Sequence, residues 1–241
     1  MNALSFFLQW LSDPLQVGAV APSSPALAAV ITAEIAPASA PVIELGPGSG
    51  AFTRALLERG IPQQRLALIE RSPKFACALR ESFPEARVLC VDAAAISSID
   101  IFSGEKVGAV VSGLPLLLMS PRKVSAILGS AFKCLRPGGA FYQFTYGSRS
   151  PVPRPILERF GLTATRIGRT LANIPPAAVY RIQRRRAEQP HPIAAKLEPR
   201  AARLRDEATR HVLVSAVICT DESQAWLMRE HVQRARLSRD Y

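Results

Sequence analysis

The run Glu44-Leu45-Gly46-Pro47-Gly48-Ser49-Gly50 places three glycines at alternate positions directly after an acid. Glycine permits the tight turning and close approach of backbone to a ligand that such a loop needs. A second acid, Glu70, closes the next apolar run about twenty residues after the loop, a spacing at which a carboxylate can bond two ribose hydroxyls. A third acid, Asp92, closes the apolar run after that. This is equipment for a ligand with a nucleoside part. The G-x-G-x-x-G spacing of dinucleotide sites is absent.

Other chemistries are restricted by inventory. All three histidines (His191, His211, His231) lie near the carboxyl terminus, so the main body has no histidine for acid–base work or metal binding. The four cysteines (Cys77, Cys90, Cys134, Cys219) include no C-x-x-C pair. Neither a disulfide framework nor a cysteine zinc site is expected, no metal is expected, and the thiols fit a reducing cytosol.

Alternating strand and helix patterns surround these residues. Val42 to Leu45 reads as a buried strand, and Ala51 to Arg59 as a helix stopped by Gly60. Arg65 to Glu70 is a second strand, and Ser72-Pro73 opens a helix with an N-cap and a proline at its first position. Ala86 to Asp92 reads as a third strand and Lys106 to Val111 as a fourth. Ser120-Pro121 opens a helix to Leu135, and Arg136 to Gly139 is a turn before a fifth strand, Ala140 to Tyr146. Thr163 to Leu171 and Ala177 to Gln183, flanking Asn173 to Pro176, read as a closing antiparallel pair. This order predicts an α/β fold, a doubly wound and mostly parallel seven-stranded sheet with an antiparallel edge hairpin. The expected divisions are residues 1–40 as an amphipathic helix and site cover, 41–186 as the main domain, and 187–241 as an extension without an assigned role.

The glycine loop, followed by acids closing strands two and three, resembles the S-adenosyl-L-methionine site of class I methyltransferases. The resemblance implies a Rossmann-like fold, with Glu44, Gly46, Pro47, Gly48, Ser49 and Gly50 beneath the methionyl part of the cofactor. Glu70, with Arg71 beside it, would hold the ribose, and Asp92, with Ala93 beside it, would reach the adenine amino group. Ser112 and Leu114, at the end of strand four, complete the implied cofactor set.

The motif Val111-Ser112-Gly113-Leu114-Pro115-Leu116 bears on the substrate. It is similar to the N-L-P-(Tyr/Phe) motif of the rRNA adenine dimethyltransferases, in which the Asn positions the target amine and the aromatic ring stacks on a flipped base. Here Gly113 replaces the Asn and Leu116 the aromatic ring. That argues against an adenine and leaves an aliphatic amine open. Together with 10–24, 135–155 and 168–180, the motif resembles bacterial phospholipid N-methyltransferases, over roughly residues 4–186. The resemblance implies methylation of phosphatidylethanolamine toward phosphatidylcholine, with Gly113 and Tyr146 at the methyl-transfer point and Arg149, Arg154 and Asn173 contacting substrate. The alternatives are an rRNA adenine dimethyltransferase, favoured by basicity, and a non-catalytic lipid-binding protein on the same scaffold.

Charge and amphipathicity point to a surface. Residues 106–186 hold 14 Lys/Arg against the single Glu158, a net of +13, whereas residues 1–105 hold 7 against 10, a net of −3. Such a field seeks polyanions. Leu4, Phe7, Leu8, Leu11 and Leu15 share one face of a helix, with Phe6 and Trp10 at its shoulders. Phe6, Phe7, Trp10 and Leu11 suit a bilayer headgroup boundary, although the same helix could simply cap the sheet. No run is long and apolar enough to span a bilayer. The expectation is a cytoplasmic monomer held peripherally on an anionic membrane, with no specific nucleic-acid partner.

Overall fold

The computed structural model describes residues 24–146, 150–172 and 176–185. The amino-terminal face with Phe6, Phe7, Trp10 and Leu11 lies outside the described residues, as do Arg149, Asn173 and the extension 187–241. Seven strands form one sheet: β1 (Val42–Leu45), β2 (Leu66–Ile69), β3 (Arg87–Leu89), β4 (Val107–Ser112), β5 (Leu135–Thr145), β6 (Leu162–Thr170) and β7 (Ala177–Arg184). Their order is β3-β2-β1-β4-β5-β7-β6. The first five pair in parallel, and β7 runs antiparallel to both β5 and β6. The doubly wound sheet with its antiparallel edge is as expected. Parallel pairing brings the carboxyl ends of β1, β2 and β4 to one edge, where ligands of open α/β sheets bind.

Five helices cover the sheet among the described residues: α1 (Pro25–Ile31), α2 (Ala51–Glu58), α3 (Pro73–Ser82), α4 (Pro121–Cys134) and α5 (Arg154–Arg159). Strand alternation divides the core. Val42, Ala109, Val111 and Tyr142 face Leu27 and Ile31 of α1 and Phe52 and Leu56 of α2. Ile43, Leu45, Val110 and Phe141 face Val124, Ile127 and Leu128 of α4. Tyr142 and Tyr180 are buried, as their place in the strand pattern implies.

Helix α1 is an element that the sequence pattern does not announce; Ser24 caps it, accepting from Leu27 N at 3.2 Å, and Leu27 and Ile31 are fully buried. Three local expectations are corrected. Strand β3 stops at Leu89, so Asp92 does not end a strand. It caps the 3-10 turn Ala93–Ser98 instead. Strand β5 begins at Leu135, before the expected start, because Arg136–Gly139 forms a bulge: Val107 pairs with Leu135 and Ala109 already with Ala140. Finally, Pro151 and Pro153, flanked by Arg149 and Arg154, imply a stiffened loop after strand five; Arg154 instead opens helix α5, with Pro153 as its N-cap and Pro155 in its first turn.

Candidate active site

The glycine loop links β1 to α2. All three of its glycines are left-handed, with φ of +66° at Gly46, +55° at Gly48 and +80° at Gly50. A Cβ would meet Leu114 Cδ2 at 2.7 Å if added to Gly46, and Phe83 Cε2 at 2.7 Å if added to Gly50. Those two glycines therefore answer to packing. A Cβ added to Gly48 would meet nothing within 4 Å. The loop is packed on its flanks and open at its centre, a cradle that a bound molecule can fill. Pro47 is buried and its carbonyl accepts from Gly50 N at 2.9 Å, while Ser49 is exposed.

Glu70 follows β2, and its carboxylate reaches back to this cradle. Oε2 accepts from Gly48 N at 3.3 Å and Oε1 from Ser72 N at 2.9 Å. Ser72 was expected to cap α3 with its hydroxyl; it makes no such bond and donates its N–H to Glu70 instead. Glu70 thus sets the loop and faces it, consistent with an acid that also accepts from ribose hydroxyls. Arg71 beside it is exposed.

Asp92 is held on both oxygens. Oδ1 accepts from Ala94 N at 2.8 Å, and Oδ2 pairs with Lys123 in the first turn of α4. The Lys123 hydrogen bond, followed by that from Ala94, holds its pKa below the usual carboxylate value. An ionised carboxylate offers about four acceptor positions, so Asp92 can still take an exocyclic amine. Lys123 has no counterpart in the sequence reading, and proximity of α4 to the 3-10 turn is what brings it there.

Glu44 is the most perturbed acid of the site. It is fully buried; Oε2 accepts from Thr53 Oγ1 at 2.6 Å, and Oε1 has no partner among the described residues. Burial pushes its pKa up to about 7, against the Thr53 bond, which lowers it. The folded protein therefore retains a proton that the unfolded chain releases near pH 4.5. The contribution of this group to stability is fully present below that value and is lost as pH rises through about 7. Glu44→Gln keeps an acceptor for Thr53 and removes the titration. In urea unfolding, the variant should gain on the wild type as pH rises through this window, by about 3 kcal/mol at the top of it. Parallel pH profiles would contradict a buried, proton-binding Glu44.

The acceptor loop follows β4. Gly113 N donates to Leu45 O at 2.8 Å, and Leu114 N to Ser112 Oγ at 3.3 Å. A Cβ on Gly113 would come within 2.6 Å of Gly46 O. A small residue beside the methyl-transfer point also leaves room for a growing methylated headgroup. Its smallness is already required by contact between the two loops. Gln143 in β5, opposite Ser112, donates Nε2 to Leu114 O at 2.9 Å and to Phe144 O at 3.0 Å, pinning this loop from the side.

Tyr146 stands just beyond β5, half-buried, with its ring edge-on to Phe144 at 5.3 Å. Phe144 in turn meets Phe52 of α2 edge-on, so Tyr146 lies at the carboxyl edge on the face of the glycine-loop helix. Arg154 is the substrate candidate that fits least well. Its Nε donates to Glu158 Oε1 at 2.7 Å, and the exposed side chain is spoken for along its own helix.

A family model described as a methyltransferase domain matches residues 42–139. An ornithine lipid N-methyltransferase of Singulisphaera acidiphila is 33% identical over 170 residues, covering 68% of this chain and 86% of that protein. The chain belongs to the class I S-adenosylmethionine-dependent methyltransferases. Among solved structures, the glycopeptide N-methyltransferase MtfA aligns with a TM-score of 0.54 at 16% identity, over 73% of this methyltransferase and 98% of that chain. The Burkholderia thailandensis 1,6-didemethyltoxoflavin-N1-methyltransferase aligns with a TM-score of 0.53 at 18% identity, over 76% and 87%. These likenesses concern the fold. A ribosomal RNA small subunit methyltransferase A of Rhodopseudomonas palustris is 35% identical over 100 residues, and the methyltransferase spans only 34% of its length. The cofactor is S-adenosylmethionine, and the open cradle at Gly48, the bare Oε1 of Glu44 and the acids at Glu70 and Asp92 fit it.

Proposed function

We propose that this methyltransferase transfers methyl groups to the primary amine of a membrane aminolipid, phosphatidylethanolamine in the first instance, and onward to its mono- and dimethyl products. The observation that carries the reading is the acceptor loop, Ser112-Gly113-Leu114-Pro115-Leu116. It lacks both the amide and the ring with which an adenine would be held. The relative acting on ornithine lipid supports an aminolipid from a different direction. So do the exposed leucines at the site edge, Leu117 and Leu118 after the acceptor loop and Leu171 after β6. Exposed apolar side chains in a stretch of net charge +13, residues 106–186, suit the boundary of an anionic leaflet. Among the described residues no helix is long and apolar enough to cross a membrane, and peripheral attachment is part of the proposal.

When bound, S-adenosylmethionine would supply an electrophilic methyl: the neutral amine, after giving its extra proton to water, would form the carbon–nitrogen bond as the carbon–sulfur bond breaks with its pair going to sulfur, and the methylated product would give a further proton to water. The chain's own part is chiefly alignment, worth several orders of magnitude when two reactants are held together. Gly46–Gly50 would carry the methionyl part, Glu70 the ribose and Asp92 the adenine amine. Arg149 would take the lipid phosphodiester, for which a planar guanidinium is suited, while Arg154 could join it only by sharing its guanidinium with Glu158.

A second aminolipid is favoured by a specific finding, the match to the ornithine lipid enzyme. Vesicles of phosphatidylglycerol doped with either phosphatidylethanolamine or ornithine lipid, given labelled methyl donor, separate the two. Label should enter phosphatidylethanolamine and appear in mono- and dimethyl forms. Label in ornithine lipid alone would replace the substrate, and label in neither would remove the aminolipid reading.

A further inference from the structure

Among the described residues, four large apolar side chains stand exposed: Phe75, Leu117, Leu118 and Leu171, at 38% to 70% of full exposure. They are far apart in the chain, but topology gathers them at one edge of the sheet. Phe75 is in the first turn of α3, which follows β2, and Leu117 and Leu118 lie between β4 and α4. Leu171 follows β6, whose last residues pair with Ala177 and Ala178 of β7; Ala178 pairs in turn with Thr145 at the end of β5. All four therefore stand at the carboxyl edge, with the glycine loop and the acceptor loop. From β2 to β6 is five strand spacings, so they are strung along ~24 Å of that edge. Exposed apolar residues scattered singly need no explanation. Four gathered on the edge that carries the site do.

Charge is sorted along the same axis. Arg71, Lys74, Arg122 and Arg169 are exposed at this edge, and none is in an ion pair among the described residues. The two acids there are engaged: Glu70 accepts from the backbone N–H groups of Gly48 and Ser72, and Asp92 is paired with Lys123. Apart from buried Glu44, the remaining acids lie elsewhere. Glu58 and Glu81 are in the last turns of α2 and α3, and Glu85, Asp100 and Glu105 are in the stretches that lead into β3 and β4. Glu34 and Glu158 are paired with arginines. The amino edge thus mixes acids with its bases, Arg65 being paired with Glu105, whereas the carboxyl edge is both basic and apolar. A partner with anionic headgroups over an apolar interior matches both features, as an anionic leaflet does.

We propose that the carboxyl edge of the sheet is the face on which the enzyme sits on an anionic bilayer, with the four exposed apolar side chains entering the headgroup boundary and the four exposed cations meeting lipid phosphates. The carboxyl ends of the strands then point at the membrane, and the cofactor cradle and the acceptor loop open toward the leaflet. The acceptor amine reaches the site without its lipid leaving the bilayer. This docking face rests on the aminolipid reading for what is methylated, but not for attachment itself.

Attachment is read without any substrate. The full chain is sedimented with vesicles of phosphatidylglycerol and phosphatidylcholine, which hold no primary amine. The double variant Phe75→Glu/Leu171→Glu should weaken partition at least ~10-fold. Both side chains are exposed, so its melting transition and its S-adenosylhomocysteine affinity should match the wild type. Arg122→Glu and Lys133→Glu make the same change in net charge at opposite ends of α4, the first at the carboxyl edge and the second at the amino edge. Arg122→Glu should weaken partition about fivefold, the share of one basic residue at such a surface, and Lys133→Glu less than about twofold. Wild-type partition in Phe75→Glu/Leu171→Glu would overturn the proposal. Equal losses in Arg122→Glu and Lys133→Glu would overturn it too, since net charge alone would then account for attachment. Self-association that Phe75→Glu/Leu171→Glu abolishes, with vesicle partition unchanged, would give the face to a second copy instead.

Methyl transfer separates the docking face from the aminolipid reading. With phosphatidylethanolamine added to the vesicles, Phe75→Glu/Leu171→Glu should lose methylation in proportion to partition. Methylation of dihexanoyl phosphatidylethanolamine dissolved as monomers should stay within about twofold of wild type, because no surface has to be found. If partition falls as stated but neither lipid is labelled, the aminolipid reading fails and the docking face stands. If wild type and variant label vesicle lipid equally, the docking face fails and the aminolipid reading stands.

Discussion

Gly48→Val should leave the sheet folded and remove cofactor binding. The space where its Cβ would lie is empty of protein within 4 Å, so the new side chain displaces nothing of the chain itself. What it costs the fold is the left-handed backbone, on the order of 1–2 kcal/mol for a residue with a Cβ. What it costs the ligand is larger, because the branched side chain fills the open centre of the cradle. Affinity for S-adenosylhomocysteine by calorimetry should fall at least ~100-fold, which is ~2.8 kcal/mol. The melting transition should stay cooperative. Near wild-type affinity would mean that the cofactor does not approach this loop, and the placement of the whole site would fail with it.

Gly113→Asn is the opposite experiment, since it restores the residue found in the adenine-directed motif. It should not create an adenine methyltransferase. The added Cβ would stand 2.6 Å from Gly46 O, a backbone atom that can move only if the cofactor loop moves. Overpacking of this kind costs roughly 1–3 kcal/mol of stability. Lipid methylation should fall by at least ~100-fold, in line with the sensitivity of aligned reactants to small displacements. Affinity for S-adenosylhomocysteine should drop as well, because the two loops are in contact. A well-folded Gly113→Asn variant with full lipid activity would show that the acceptor loop is not tied to the cofactor loop as described.

The order of strands and helices was legible because apolar runs alternate with capped helices, and the prolines and glycines mark the joints. Ser120 accepts from Lys123 N at the start of α4 just as its sequence position implies. The glycine loop and Glu70 were legible for a similar reason: each closes an apolar strand, and the parallel pairing of Leu45 with Ile69 then brings Glu70 to Gly48. Helix α1 was not, since its seven residues between prolines and small side chains offer too little periodicity; it is held by tertiary burial of Leu27 and Ile31. Lys123 escaped notice because its partner, Asp92, is thirty-one residues away and depends on how α4 docks. Arg154 is misplaced when Pro151 and Pro153 alone are weighed as a stiff loop, because Pro155 then goes unused as the first-turn proline that marks a helix start. Gln143 and Thr145 interrupt an aromatic strand, but only the structure shows that Gln143 Oε1 and Thr145 Oγ1 are buried without a hydrogen-bond partner among the described residues.

The most direct test of the aminolipid reading is a competition in one vessel. Full-length protein and labelled S-adenosylmethionine are mixed with phosphatidylethanolamine–phosphatidylglycerol vesicles and under-methylated small-subunit rRNA, and the label in lipid and RNA fractions is counted. Label should accumulate in the lipid as mono- and dimethyl phosphatidylethanolamine, with the RNA at background even at low salt, where loose binding to a basic protein is expected. Label in RNA with inert lipid would contradict the account, because Gly113 and Leu116 would then have to serve a flipped base without an amide or a ring.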